Sequence, residues 1–175
     1  AGEATRQIRL TINGSEITTV SVTLSASDTN STVLQKIRDA INNSADASQQ
    51  VSAAVVTDTA TTSRLTIVSK TTGSVYAVGL EDVSGTLLDN IGLGDTVVSN
   101  RSTSTSTTGG YVYGAASNLN AQFTLNGVEF TSSTNTVSDA LPGITLQLKS
   151  VQSPTDAPVQ LNVSIDTSAV QSNIQ

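Results

Sequence analysis

The sequence predicts an α+β fold, predominantly β. It reads as two small domains, each a hairpin–helix–strand–strand (ββαββ-like) unit with antiparallel sheets. Three observations predict this. Apolar and polar residues alternate at period two along much of the chain and flank two Asn-Gly dipeptides. One segment, about residues 32–43, switches to a 3.6-residue apolar period. The front of the chain can also be laid on the back. Thr11-Ile12-Asn13-Gly14-Ser15-Glu16-Ile17-Thr18 matches Thr124-Leu125-Asn126-Gly127-Val128-Glu129-Phe130-Thr131, and Asp39-Ala40-Ile41 matches Asp139-Ala140-Leu141. That is a weak internal duplication.

The first strand carries Ile8, Leu10 and Ile12 on one face. Asn13-Gly14 suits a type I′ turn, which needs positive φ at both central residues. Ile17, Val20, Val22 and Leu24 form the return strand, and the slip between Ile17 and Val20 predicts a bulge or kink. Val33, Leu34, Ile37 and Ile41 then mark a helix over about 32–43. Thr32-Val33-Leu34-Gln35 fits a capping box at its start, and Asn42-Asn43-Ser44 ends it. Strands follow at 51–57 and 64–69, then a turn at 70–74 and a short strand within 75–83. Residues 85–93 read as one helical turn capped by Gly92.

Residues 102–110 are a Ser/Thr/Gly tract without an apolar anchor, read as a linker or exposed loop. Tyr111 and Tyr113 beside it read as a strand packing onto the second domain. Phe123 and Leu125, the turn Asn126-Gly127, then Val128 and Phe130 pointing inward make the second hairpin. Val137 and Leu141 mark a short helical turn stopped by Pro142-Gly143. Ile144, Leu146 and Leu148, and then Val159, Leu161, Val163 and Ile165, alternate as two last strands, with Pro154 and Pro158 flanking their connection. The expected boundaries are 1–97 for the first domain, 98–110 for the linker, 111–170 for the second domain and 171–175 for the start of a further helix. Both ends read as cut, so the chain is expected to be an excised fragment.

Composition narrows the chemistry. The 175 residues carry no Cys, His, Met or Trp, so disulfides, Cys/His metal sites, thiolate nucleophiles and Ser-His-Asp triads are all excluded. Net charge is −6, with 8 Lys+Arg and no basic run, which opposes nucleic acid and anionic membranes as partners. No apolar stretch is long enough to span a bilayer. Roughly 30% of the chain is Ser or Thr and only 3% is aromatic, a composition suited to half-buried sheets and poor in ring-lined pockets.

Several motifs have plainer readings than a site. Glu81, Asp82, Asp89 and Asp95 lack the alternating spacing of a calcium loop and read as a solvated acidic face. Gly92-Leu93-Gly94 is too short to cradle a phosphate. The Asn-Xaa-Ser/Thr matches at Asn30, Asn100 and Asn162 are expected by chance in so Ser/Thr-rich a chain. Spacing pairs no two of the 14 acidic residues as catalysts. Hence no catalytic, cofactor-binding or metal residue is expected, and no residue is singled out for a protein-interaction surface.

The second-copy segment, Phe123-Thr124-Leu125-Asn126-Gly127-Val128-Glu129-Phe130 followed by Asn135-Thr136-Val137-Ser138-Asp139-Ala140-Leu141-Pro142-Gly143-Ile144-Thr145-Leu146-Gln147-Leu148, resembles the bacterial flagellar filament cap family, also called hook-associated protein 2. The first copy resembles the flagellin IN-type motif. It carries Thr11-Ile12-Asn13-Gly14, Lys36-Ile37-Arg38-Asp39-Ala40-Ile41-Asn42 and Leu65-Thr66-Ile67-Val68-Ser69-Lys70-Thr71-Thr72-Gly73. The tail from Asp166 to Gln175 resembles the start of the family's leg helix. The resemblance covers most of the chain except about 75–118.

It implies a structural and assembly protein rather than an enzyme: the head region of the cap, extracellular at the flagellum tip, without cofactor. The implied partners are further copies of itself, flagellin subunits and, for adhesive members, host surface glycans. It also implies that the second domain takes up strands from ahead of Ala1, so one sheet here is expected to have a bare edge. The alternatives are an outer domain of a flagellin or hook–filament junction protein, or a free-standing adhesin module.

Overall fold

The structure, a computed structural model, describes residues 4–57, 62–93 and 116–163. The linker at 98–110, Asp95, Tyr111, Tyr113, Ile165 and the tail at 171–175 lie outside them. The chain is mostly strand, with few helices and small antiparallel sheets, as the period-two patterning predicts.

The first unit opens with β1 (Ala4–Ile12) and β2 (Ser15–Leu24). Asn13 and Gly14 take φ of 50° and 76°, the left-handed pair a type I′ turn requires. The expected slip falls at Ile17. Leu10 faces Thr18 while Thr11 faces Glu16, so Ile17 is one residue extra in β2. The bulge resets the period-two parity, which lets Ile17 as well as Val20 and Val22 reach the core. β5 (Val78–Ser84) pairs with the other edge of β1, giving the order β2-β1-β5. A 3-10 turn at Ser74–Tyr76 leads into it, so the short strand starts later than expected.

Helix α1 (Asn30–Asn43) starts before the expected position, and Thr32-Gln35 is not its capping box. The N-cap is Thr29, whose hydroxyl accepts the Thr32 N–H at 3.2 Å. A tight turn delivers Thr29 in extended conformation: Asp28 N–H donates to the Ser25 carbonyl, and Asp28 Oδ2 accepts the Ser25 N–H at 2.7 Å. Ser44 then ends α1 and caps a second helix, α2 (Ala45–Gln50), which periodicity did not reveal because six residues carry too little of it. β3 (Val51–Thr57) and β4 (Ser63–Ser69) form the expected antiparallel pair.

The core lies between the β2-β1-β5 sheet, α1 and the β3–β4 hairpin. Ile8, Leu10, Ile37, Ile41 and Leu88 are fully buried in it. Leu88 comes from α3 (Leu87–Asn90), the expected helical turn. Gly92 at φ 78° closes it: Gly92 N–H donates to Asp89 O and Leu93 N–H to Leu88 O, a Schellman motif.

The second unit holds β6 (Ala121–Leu125), β7 (Val128–Ser132), β8 (Thr136–Leu141) and β9 (Ile144–Gln147), paired as two antiparallel hairpins. Asn126-Gly127 repeats the first turn with φ of 51° and 82°. Several expectations are corrected here. The helical turn at Val137–Leu141 is strand β8. Pro142-Gly143, with Gly143 at φ 76°, is the two-residue connection to β9 rather than a helix stop, and Leu141 faces Ile144 across it. The ββαββ pattern is therefore repeated only in its hairpin. Val128 points outward at the turn, 57% exposed, while Phe130 packs inward and stacks on Phe123 at 5.4 Å. Finally, Val159, Leu161 and Val163 are exposed and lie in no strand. Alternation supplies one apolar face but not the ladder partner a strand needs, and none stands beside them among the described residues.

Candidate protein-interaction surface

The polar side chains of the first unit serve its own architecture. On the outer face of the sheet Arg9 lies between Glu81, at 2.9 Å, and Glu16, at 3.3 Å, linking all three strands. These groups are half-exposed, so the pairs fix geometry more than they add stability. Asp82 Oδ2 accepts the Leu88 N–H at 2.9 Å in the first turn of α3. Of the four acidic residues weighed for metal, Glu81 and Asp82 are thus engaged elsewhere, and Asp95 lies outside the described residues. Lys36 Nζ reaches Asp28 Oδ2 at 2.7 Å. That hydrogen bond, with the Ser25 N–H, holds the Asp28 carboxyl below its ordinary range.

A junction joins the two units. Thr72 Oγ1 donates to the Ser133 carbonyl at 2.9 Å, and the Ser74 N–H donates to Asn120 Oδ1 at 2.7 Å. Between them Gly73, at φ 104°, lies so close that a Cβ there would stand 2.7 Å from the Ser133 Cβ. Sequence reasoning read residues 70–74 as a turn and missed this role. Its one local signal was the glycine, because the partners lie 46 and 61 residues further along.

Around the junction and beyond it the surface carries apolar side chains suited to contact with protein. Val75 and Tyr76 flank the junction, Val56 and Val68 lie on the outer face of β3–β4, and Val159 and Leu161 lie in the last described segment. The arrangement brings the two units into contact at Gly73 and leaves these apolar side chains exposed.

Comparison with known proteins agrees with that character. Residues 119–175 match the family model for the flagellar hook-associated protein 2 C-terminus. The A-type flagellar hook-associated protein 2 of Pseudomonas aeruginosa is 33% identical over 118 residues, which are 65% of this chain and 24% of that protein. The crystal structure of FliD (HAP2) from Pseudomonas aeruginosa PAO1 is similar over 97% of this chain and 71% of its own, with a TM-score of 0.66 and 25% identity. The D2-D3 domains of the flagellar cap protein FliD from Serratia marcescens are similar over 91% and 74%, with a TM-score of 0.61 and 29% identity. The chain thus spans about a quarter of the length of the curated relative it matches.

Proposed function

We infer that this chain, a relative of flagellar hook-associated protein 2 in both sequence and fold, is head region of a bacterial flagellar filament cap. The observation that carries the reading is the structural likeness to FliD over 97% of the chain. That likeness favours the cap over a flagellin outer domain or a free-standing adhesin module.

The work of such a chain is mechanical. It sits outside the cell at the filament tip, where copies of the whole polypeptide associate, and exported flagellin subunits fold into place beneath them. The two units suit this role. The first is held rigid by one shared core, and the second is fixed to it by a glycine contact and two hydrogen bonds. A net charge of −6 opposes non-specific association of such an assembly.

A chimera tests the reading. These residues replace the matched segment of the Pseudomonas aeruginosa flagellar hook-associated protein 2 in a strain lacking its own copy. Filaments and swimming are expected to return, whereas deletion of the segment is expected to leave flagellin shed into the medium. Failure of a stably expressed chimera to retain flagellin would count against the assignment.

A further inference from the structure

The two Asn-Gly turns are chemically identical but structurally unequal. Both tips are exposed, and around Gly14 and Gly127 a Cβ would meet nothing within 4 Å. Asn-Gly is the dipeptide in which the main-chain nitrogen of the second residue most readily reaches the side-chain carbonyl carbon of the first, because glycine puts no Cβ in the way. In that reaction the glycine nitrogen loses its proton and bonds to the Asn Cγ. Ammonia leaves, and a five-membered succinimide ring forms. Water then opens the ring at either carbonyl, giving aspartate or isoaspartate. The balance is one water consumed and one ammonia released, and solvent supplies the water.

A closed type I′ turn opposes this step. It holds the Asn backbone left-handed, at φ of 50° and 51° here, whereas ring closure needs the Asn ψ swung far from its turn value. Reaction therefore waits on local opening of the hairpin tip, and the cost of opening sets the rate. At Asn13 that cost is high. Its N–H donates to the Ala77 carbonyl at 2.9 Å, and the strand leading into it is the central strand of three, with Ile8 and Leu10 fully buried. At Asn126 the tip closes a hairpin that has no third strand among the described residues, its apolar residues are only half-buried, and Val128 beside it is exposed. Isolated hairpins of this kind are marginal in water.

We propose that Asn126-Gly127 is a site of spontaneous deamidation and isoaspartate formation, and that the fold protects Asn13-Gly14 from the same reaction. Isoaspartate adds a main-chain carbon to a two-residue turn and so breaks the register that stacks Phe123 on Phe130. Each conversion also makes the chain one charge more negative than −6.

The test is to age the purified protein at mildly alkaline pH and map its peptides by mass spectrometry, scoring isoaspartate with a protein-isoaspartate methyltransferase. Conversion at Asn126 is expected to run about fivefold or more ahead of Asn13 in the folded protein. In urea the two rates are expected to converge, because the shared Asn-Gly dipeptide then sets both. A Gly79→Ala variant, which strains β1 against β5, is expected to speed Asn13 and leave Asn126 unchanged. Equal rates in the folded protein, or a faster Asn13, would overturn the proposal. So would an Asn126 that stays intact when folded while the urea control converts.

Discussion

Asn42 joins two layers of the first unit through one side chain. Its Nδ2 donates to the Ala53 carbonyl at 2.8 Å, and its Oδ1 accepts the Ala53 N–H at 2.9 Å, so the amide takes the place of a neighbouring strand on the edge of β3. Ile41 beside it is fully buried in the core. Asn42→Ala leaves both backbone groups of Ala53 without these partners. It is expected to cost about 2 kcal/mol in urea unfolding, and an unchanged midpoint would refute the role. The sequence marked Asn42 as part of a helix ending and of a family-like segment, but not as a strand partner, because Ala53 lies eleven residues on. A second residue sets an acid limit. The Lys36 and Ser25 hydrogen bonds lower the Asp28 carboxyl's folded value below its unfolded one. Its contribution is therefore present above about pH 4 and lost as pH falls through the lowered folded value. Thermal melts from about pH 6 down to about pH 3 are expected to show wild type ahead of Asp28→Asn at the upper end, with the gap closing as the pH drops.

Among the elements, the Asn-Gly hairpins were the most legible and strand β8 of the second unit the least. Asn-Gly between alternating strands specifies both strand ends and the turn, so β1–β2 and β6–β7 fall where expected. Val137 and Leu141 stand at a spacing that either a helix or an irregular strand satisfies. The β8–β9 pairing slips between them, and only that pairing decides. Strand β5 depends on a close approach that patterning does not show. Gly79 faces Thr11, which is buried, and a Cβ on Gly79 would clash with the Thr11 Oγ1. Thr11 is β-branched and stiff at χ1, so it yields poorly. Gly79→Ala is expected to destabilise the first unit by about 1–3 kcal/mol. Adding Thr11→Ala is expected to recover part of that loss in a double-mutant cycle, and strictly additive effects would show that the contact is relieved elsewhere.

At the scale of the molecule, the relation between the two units rests, among the described residues, on few groups. Two hydrogen bonds and one glycine join them there, and the residues on each side were unreadable as partners because each looks like an ordinary polar turn residue in its own unit. Small contacts of this kind normally permit domain motion. Here the Gly73 backbone fits against Ser133 with no room for a side chain, and its φ of 104° disfavours any other residue. Gly73→Val therefore inserts its Cβ at 2.7 Å from the Ser133 Cβ and 2.9 Å from the Ser133 carbonyl oxygen, and the junction must part. The first unit keeps its own core, which lies wholly outside the junction, so it is expected to stay folded. The second unit is a pair of hairpins with Val137 as its one buried apolar residue among those described, so it depends on its neighbour. Calorimetry is expected to show one transition become two, with the second unit's midpoint lowered by about 4–8 °C for each 1 kcal/mol of coupling lost. A single unchanged transition would mean that contacts other than Gly73 carry the coupling. If the transition does split, the same variant placed in the chimera distinguishes two models of the head. Lost filaments would mean that the set relation between the units is what the cap uses, and retained filaments would mean that each unit acts through its own surface.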